Sequence, residues 1–300
     1  MINDSNNKVW YRLFISLSII LLSFLIAQLL VSLIISLAPS EISQNIHTAN
    51  PEELSLAQVS LLKILQFIAA IFTFLLPALL IAFVLYRNIG ETLFLKRKSD
   101  FGVYLLSSLI LIASIPWMNV VIKWNAGINL PFSMEVVFKA LEEAAMRSTE
   151  IMLQGEGLST LLINLFLLAF VPALGEEIFF RGLIQGMIYK YSKNKHIAVI
   201  VAAILFSAIH FQFYGFVPRV LLGAFFGYLV IHTNSIWPAV WAHFLNNSIA
   251  VVSYFVFGND ISGIDDLGIA NHNTIFVIVS IIISAILMYF LFRKSKSVLQ

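Results

Sequence analysis

Long apolar runs constrain the fold of this chain more than any other feature of its sequence. Eight runs, most of about 20 residues or more, have the length and hydropathy of helices that cross a bilayer. They are Leu13–Leu37, Leu61–Tyr86, Val103–Ile122, Leu158–Tyr189, Ile197–Phe213, Val217–Ile231, Trp237–Phe257 and Thr274–Phe292. Only 11% of the residues are charged, against about 25% in soluble domains. We therefore expect an all-α, polytopic membrane helical bundle with about eight transmembrane helices.

The charges between these runs alternate in sign along the chain. Basic residues precede the first run and follow the second, fourth and eighth, namely Lys8, Arg12, Arg87, Lys96, Arg97, Lys98, Lys190, Lys193, Lys195, Arg293, Lys294 and Lys296. The opposite connections hold acidic residues, namely Glu41, Glu52, Glu53, Glu135, Glu142, Glu143, Glu150, Glu156, Asp260, Asp265 and Asp266. Because basic loops are retained in the cytoplasm, we expect both termini to be cytoplasmic.

The polarity of the runs divides the chain into three parts. The first three runs contain almost no ionisable residues, so residues 1–157 are predicted to form a transmembrane scaffold. Within that part, the pattern over Phe132–Ile151 predicts an amphipathic helix at the outer interface, either a lid or a simple loop element. Its Glu142–Glu143 pair has no apolar flank and is expected to be solvated. Residues 158–257 form the polar-containing core, and residues 258–300 add a last transmembrane helix and a basic tail.

The fourth run contains the stretch Gly175–Gly182, in which three ionisable side chains lie among apolar residues. A charge near the bilayer centre costs about 2.5–3.5 kcal/mol, so such groups usually face a partner or a watery cavity. Glu177 and Arg181 are four residues apart, the spacing of a helical ion pair. Glu176 has no counter-ion at such a spacing, which leaves it available as a proton acceptor. The alternative is that all three side chains belong to a polar network that only packs helices.

His210 is the polar residue at the end of the fifth run. The fourth and fifth runs form a predicted hairpin whose turn is centred near Lys193, and Glu176 and His210 each lie 17 residues from that point. Equal offsets in an antiparallel helical pair place two residues at equal depth. The sequence therefore predicts that Glu176 and His210 can face each other.

The seventh run carries His243 and Asn247, which are four residues apart and share a helix face. Asn246 is expected to point elsewhere. Arg219, near the outer end of the sixth run, is expected at the membrane interface rather than in a site. With Glu176 and His210 already predicted at one depth, we read His243 and Asn247 as further site residues and not only as a contact between helices.

Three motifs on successive runs resemble the CPBP intramembrane protease family. They are Glu176-Glu177-xxx-Arg181, Phe206-xxx-His210 and His243-xxx-Asn247. This family includes the type II CAAX prenyl endopeptidases and bacterial relatives, the Abi proteins, linked to bacteriocin processing and immunity. The resemblance covers about residues 158–257 and implies a catalytic helical core. It implies that Glu176 and His210 activate a water, that His243 and Asn247 stabilise an oxyanion, and that Glu177 and Arg181 support them.

The resemblance leaves the cofactor open. Glu176, His210 and His243 are ligand types found in zinc hydrolases, and the same residues suffice for a metal-free, glutamate-activated water. Because no H-E-x-x-H motif is present, we expect metal-independent chemistry, with zinc as the alternative.

The expected partners are membrane lipid and a peptide or protein substrate, lipid-modified substrates included, and not nucleic acid. The leading hypothesis is therefore an intramembrane endopeptidase. The main alternative is a catalytically idle family member that acts as a bacteriocin-immunity or membrane scaffolding protein. An ion-coupled transporter is disfavoured because the runs show no internal repeat.

Overall fold

The computed structural model of this chain describes residues 2–43, 53–258 and 274–298. Within these ranges the main helices are α1 (Ile2–Leu37), α2 (Leu56–Tyr86), α3 (Phe101–Ala126), α4 (Phe132–Leu153), α5 (Gly157–Ser192), α6 (Lys195–Ala208), α7 (Phe216–Thr233), α8 (Trp237–Phe257) and α9 (Thr274–Val298). Two short helices, Ser40–Ser43 and Ile89–Thr92, lie in the connections. No strand occurs in the described ranges, so the predicted helical bundle is confirmed. Glu52, Asp260, Asp265 and Asp266 lie outside the described residues.

Seven of these helices are long and apolar enough to cross a membrane, namely α1, α2, α3, α5, α8, α9 and the segment Phe213–Thr233 that contains α7. The chain is therefore an integral, multi-pass membrane protein. The eighth predicted span, Ile197–Phe213, is shorter than expected. Helix α6 has only 14 residues, about 21 Å at 1.5 Å per residue, against a hydrocarbon core of about 30 Å. It ends early because the chain turns at Phe211, whose φ is 54°.

Helix α5, with 36 residues, is the longest candidate membrane span among the described residues, and it is not a regular α-helix. Two stretches, Leu165–Phe170 and Ile178–Ile184, have π-helical hydrogen bonding, and the α-helical segment Val171–Glu177 separates them. Pro172 near the start of that segment cannot donate a backbone hydrogen bond, and such positions commonly interrupt helices. Wide π turns occur frequently at functional sites. The regular α-helical hydrogen bonding of α5 is thus interrupted on both sides of the segment that contains Pro172 and Glu176.

The hairpin between α5 and α6 is formed by a two-residue turn. Lys193 adopts a left-handed conformation, with φ of 53°, and ends α5. Asn194 caps α6, because its side-chain oxygen accepts hydrogen bonds from the backbone N–H groups of His196 and Ile197 at 2.9 and 3.2 Å. This turn sets the relative depth of every residue pair along the two helices.

Glycines allow α7 to approach α5 and α6 closely. The spacing of Gly223 and Gly227 predicts such contact, and their carbonyl oxygens accept hydrogen bonds from Arg181 at 3.0 Å and Gln185 at 3.1 Å. A Cβ atom at Gly227 would lie 2.6 Å from Gln185 Oε1. These hydrogen bonds to the backbone of α7 hold the charged side chain of Arg181 and the polar side chain of Gln185 in the core between the helices.

The amphipathic helix predicted over Phe132–Ile151 is present as α4. Its N-terminal Phe132 is 82% exposed, whereas its last residues, Ile151 to Leu153, are buried. In its middle, the ring of Phe138 lies 5.4 Å from that of Phe213, in the turn before α7. Helix α4 therefore packs beside the α6–α7 turn, which also carries His210.

Candidate active site

One cavity of about 320 Å³ brings together all four side chains predicted to act in catalysis, Glu176, His210, His243 and Asn247. The other lining residues are Ile122, Phe206, Gly215, Pro218, Arg219, Leu222, Phe226 and Asn246. The walls thus come from α3, α5, α6, α7, α8 and the α6–α7 turn. Polar groups from helices far apart in the sequence meet on one cavity, large enough for several water molecules, in an otherwise apolar bundle.

Glu176 lies at the end of the α-helical segment of α5, just before the second π-helical stretch. Its side chain is 12% exposed, and its Oε2 lies 3.9 Å from Nε2 of His243. That separation is too long for a hydrogen bond. The carboxylate of Glu176 therefore keeps its acceptor capacity for a group that enters the cavity.

Glu177 and Arg181 form the predicted ion pair, and neither side chain is exposed. Arg181 Nη1 donates to Glu177 Oε1 at 2.7 Å, and Nη2 donates to the carbonyl oxygen of Gly223 at 3.0 Å. The guanidinium also lies over the ring of Phe206, 4.3 Å from its centroid. This pair holds α5 against α7 behind the cavity.

His243 connects that buried pair to the cavity. Its Nδ1 lies 2.8 Å from Glu177 Oε1, and because a carboxylate only accepts, Nδ1 carries the proton in this contact. The ring stacks on Phe226, with centroids 5.1 Å apart and an interplanar angle of 18°. Hydrogen bonding at one ring nitrogen determines the role of the other. Nε2 of His243 is therefore the nitrogen available for chemistry.

The contact between His243 and Glu177 was missed by sequence reasoning, which assigned the two residues to separate motifs. Residue spacing along α8 says which residues share a face of that helix, but not which residue of α5 the face meets. No signal in a single sequence carries that information.

His210 lies in the turn after α6, and the structure places it on the same cavity as Glu176, as the hairpin argument predicts. Its Nδ1 lies 2.8 Å from the carbonyl oxygen of Phe206. A carbonyl only accepts, so Nδ1 donates and Nε2 is left with a lone pair. His210 can therefore accept a hydrogen bond from a water in the cavity.

Asn247 and Asn246 both line the cavity, so the expectation that Asn246 points elsewhere is wrong. Asn246 Nδ2 donates to Asn247 Oδ1 at 3.3 Å. This contact orients the Asn247 amide, because its oxygen is engaged and its nitrogen remains a donor. Asn246 and Asn247 are adjacent on α8, and both side chains reach the cavity because it is wide.

Arg219 and Glu142 also differ from the sequence-based expectations. Arg219 lines the cavity and donates from Nη2 to Gln212 Oε1 at 2.8 Å. Gln212 Nε2 in turn donates to Oε1 of Glu142 at 3.3 Å. The Oε2 atom of Glu142 is buried, so the prediction that Glu142 is solvated is wrong. Glu143 beside it is exposed, as expected.

The three residues proposed as zinc ligands do not fit a metal ion in this arrangement. In the part of the chain that the structure describes, no group of three or more His, Cys, Asp or Glu side chains has the geometry to hold one. Because Nδ1 of His243 contacts Glu177 and Nδ1 of His210 contacts a backbone oxygen, only Nε2 of each ring could act as a metal ligand.

A multi-pass membrane protein with a carboxylate, two histidines and an asparagine on one internal cavity has the groups that a membrane-embedded hydrolase requires. Residues 158–249 match the family model described as type II CAAX prenyl endopeptidase Rce1-like. All three motifs lie within the match, so the resemblance to the CPBP and CAAX protease family is confirmed over this region. Neither a curated protein nor a solved structure gives a significant match. The family match supports a protease.

Proposed function

We propose that this protein is an intramembrane endopeptidase that hydrolyses a peptide bond of a membrane-associated protein or peptide. The observation that carries the proposal is the cavity on which Glu176, His210, His243 and Asn247 meet, with His243 oriented by a buried ion pair. Hydrolysis of an amide needs a base within reach of a water and donors placed where negative charge develops. These four side chains supply both.

The first step is attack by water on the carbonyl carbon of the substrate. Glu176 accepts one proton of the water, while His210 Nε2 accepts a hydrogen bond from its other O–H and orients it. The water oxygen forms a bond to the carbonyl carbon, and the electron pair of the C=O π bond moves to the carbonyl oxygen. A negatively charged tetrahedral intermediate results.

The negative oxygen is stabilised by His243 and Asn247. Asn247 donates through Nδ2, since its Oδ1 is occupied by Asn246. His243 donates through Nε2 when both ring nitrogens carry protons, and the imidazolium is then stabilised by Glu177, 2.8 Å from Nδ1. Preorganised donors of this kind are worth about 10²–10³ in turnover.

The second step breaks the C–N bond. The oxyanion pair re-forms the carbonyl, the C–N pair leaves with the amine nitrogen, and Glu176 returns its proton to that nitrogen. One water is consumed, and the products are a carboxylic acid and an amine. No covalent intermediate with the protein is formed, which suits a chain without cysteine.

The site lies among lipid-facing helices, and we propose that the substrate is a membrane-associated segment, lipid-modified substrates included. Helices α6 and α7 run antiparallel, with His196 against Tyr228 and Ala203 against Gly223, so together they return the chain to the side of Lys193. With this arrangement the alternation of basic and acidic connections supports cytoplasmic termini. The basic turn around Lys193 would then also face the cytoplasm.

Cleavage of a quenched-fluorescent peptide library, prenylated and unprenylated, by the protein in nanodiscs tests the proposal. Glu176→Gln keeps the size of the side chain but removes the base, so we expect turnover to fall by about 10²–10⁴. His210→Ala should also lower it strongly. The matched control is Glu143→Gln, which alters an exposed glutamate of α4 and should leave turnover unchanged.

Two results would contradict this mechanism. Full activity of Glu176→Gln would exclude Glu176 as the base, and loss of activity with a zinc chelator, restored by zinc, would exclude the metal-free step. If the folded wild-type protein cuts no peptide, the catalytically idle binding protein becomes the better hypothesis. Pull-downs in which Glu176→Gln retains all partners of the wild type would support that alternative.

A further inference from the structure

Arg219 is a charged side chain on the catalytic cavity that the proposed mechanism does not use. It projects from the first turns of α7 and lines the cavity together with Glu176 and His210. Within the part of the chain that the structure describes, its guanidinium donates hydrogen bonds to Gln212, at 2.8 Å to Oε1 and 3.5 Å to the carbonyl oxygen. No carboxylate of the described residues forms an ion pair with it.

The contrast with Arg181 shows why this is unusual. Arg181 is fully buried, and Glu177 neutralises it at 2.7 Å. Arg219 is partly buried and donates hydrogen bonds only to the neutral acceptors of Gln212, while the carboxylates of Glu142 and Glu176 act on its charge without forming an ion pair with it. A cation among membrane helices normally pairs with an anion or faces a watery cavity. An arginine with spare donors at such a cavity can bind a carboxylate with two parallel hydrogen bonds.

The surroundings of Arg219 hold its guanidinium in place. Gln212 accepts from Nη2 with its side-chain oxygen, and its own amide nitrogen donates to Glu142 of α4 at 3.3 Å. On the other side, Gly215 leaves the room that the guanidinium occupies, because a Cβ there would lie 2.9 Å from Nη2. The charge is thus positioned by neighbours on α4 and on the α6–α7 turn.

We propose that Arg219 binds a carboxylate of the substrate in the catalytic cavity. The inference rests on the proposed function and assigns to Arg219 the recognition of a carboxylate close to the bond that is cut. The carboxylate is either a free C-terminus or an Asp or Glu side chain, and the chemistry is the same for both. The carboxylate of Glu176 repels the substrate carboxylate, whereas Arg219 attracts it. The substrate therefore binds in the cavity in one orientation.

Binding measured without hydrolysis tests the assignment. The protein carries Glu176→Gln to prevent cleavage and is held in nanodiscs. The ligands are hexapeptide libraries with a carboxylate-free BODIPY label and no acidic group other than those named next, and binding is read by anisotropy. One library has a free C-terminal carboxylate, one has a C-terminal amide, and one has the amide with a single internal glutamate. We expect the first or the third to bind about tenfold more tightly than the plain amide, and the preferred one identifies the source of the carboxylate.

Three further variants separate recognition from other roles. Arg219→Gln should abolish the preference and leave the plain amide unaffected, and Arg219→Lys should keep only part of it, since an ammonium lacks the planar fork. Gly215→Ala should weaken the preference while keeping the charge, because the new methyl group displaces Nη2. Thermal unfolding of each variant confirms that it is folded.

Equal binding of all libraries, or a preference that survives Arg219→Gln, would overturn the assignment. Arg219→Gln can also be tested in the otherwise wild-type protein. If it slows cleavage of the acid and the amide peptides equally and leaves their binding unchanged, the assignment is again overturned, because Arg219 would then act through Glu176. Because binding is read separately from cleavage, failure of this inference and failure of the protease proposal give different results.

Discussion

Removing Arg181 should destabilise the bundle more than any removal of an exposed charge. In Arg181→Met the carboxylate of Glu177, which is also fully buried, loses the partner at 2.7 Å and keeps only His243 Nδ1–H at 2.8 Å. Breaking a buried pair from one side costs about 3–5 kcal/mol. The unpaired carbonyl of Gly223, 3.0 Å from Nη2, adds about 1 kcal/mol.

The double variant Glu177→Gln/Arg181→Met distinguishes an uncompensated charge from a simple loss of packing. It has no buried carboxylate, and the amide oxygen at position 177 still accepts a hydrogen bond from His243. We therefore expect it to be more stable than the sum of the single losses predicts, with a coupling of about 2 kcal/mol between the positions. The free energy of unfolding can be measured by titrating SDS into mixed micelles and following the fluorescence of the five tryptophans.

The ion pair between Lys139 and Glu135 on α4 is a matched control. It has the same spacing of four residues and the same 2.7 Å distance, but its side chains are 58% and 37% exposed. Exposed pairs of this kind contribute little to stability, so Lys139→Met should leave the unfolding midpoint unchanged. If Arg181→Met costs no more than Lys139→Met, or if the losses at 177 and 181 simply add, the reasoning from burial is refuted.

Two other predictions test the packing and the orientation. Gly227→Ala should cost about 1–3 kcal/mol of stability, because the new Cβ would lie 2.6 Å from Gln185 Oε1. The control Gly186→Ala should be tolerated, since the nearest neighbour of its new Cβ lies at 3.8 Å. Equal unfolding midpoints of the two variants would contradict this prediction. The chain has no cysteine, so a single introduced thiol reports which side of the membrane it faces. The thiol of Lys193→Cys should react with a membrane-impermeant reagent only from the cytoplasm, and that of Glu156→Cys only from outside. The reverse pattern would refute the proposed orientation of the chain in the membrane.

The features that could be predicted from the sequence are those set by one helix or one hairpin. Glu177 and Arg181 pair because residues four apart share a helix face, whatever surrounds them. Glu176 and His210 lie on one cavity because they are equally far from the turn at Lys193. Both arguments need only helix geometry and a turn position, and both can be made from residue numbers.

The features that could not be predicted depend on how separate helices pack. Whether α8 presents His243 to Glu177 depends on the rotation of one helix against another, which residue spacing does not encode. The early end of α6 could not be predicted for a different reason. Ile209 and Phe211, which form the turn, are as apolar as the residues of the helix, so hydropathy does not show where the helix ends and the turn begins.

Arg219 could have been found by extending an argument already in use. The turn after α6 reverses the chain within a few residues, so residues shortly before and after it lie at similar depth. His210 precedes Gln212 by two residues, and Arg219 follows it by seven, as the fourth residue of α7 and so within about one helical turn of its start. The two offsets are unequal, but both residues lie close to the turn, which is enough to place Arg219 near the depth of His210.

The buried ion pair gives the chain more than a contact between helices. Glu177 Oε1 accepts hydrogen bonds from both Arg181 and His243, so the charge that Arg181 balances is also the charge that holds the proton on His243 Nδ1. In the mechanism proposed above, that proton determines which ring nitrogen meets the oxyanion. Loss of Arg181 should therefore disturb catalysis through the orientation and protonation of His243, even in a variant whose fold is retained. The residues assigned to support and the residues assigned to chemistry form one hydrogen-bonded unit, and their substitutions should not be additive in activity.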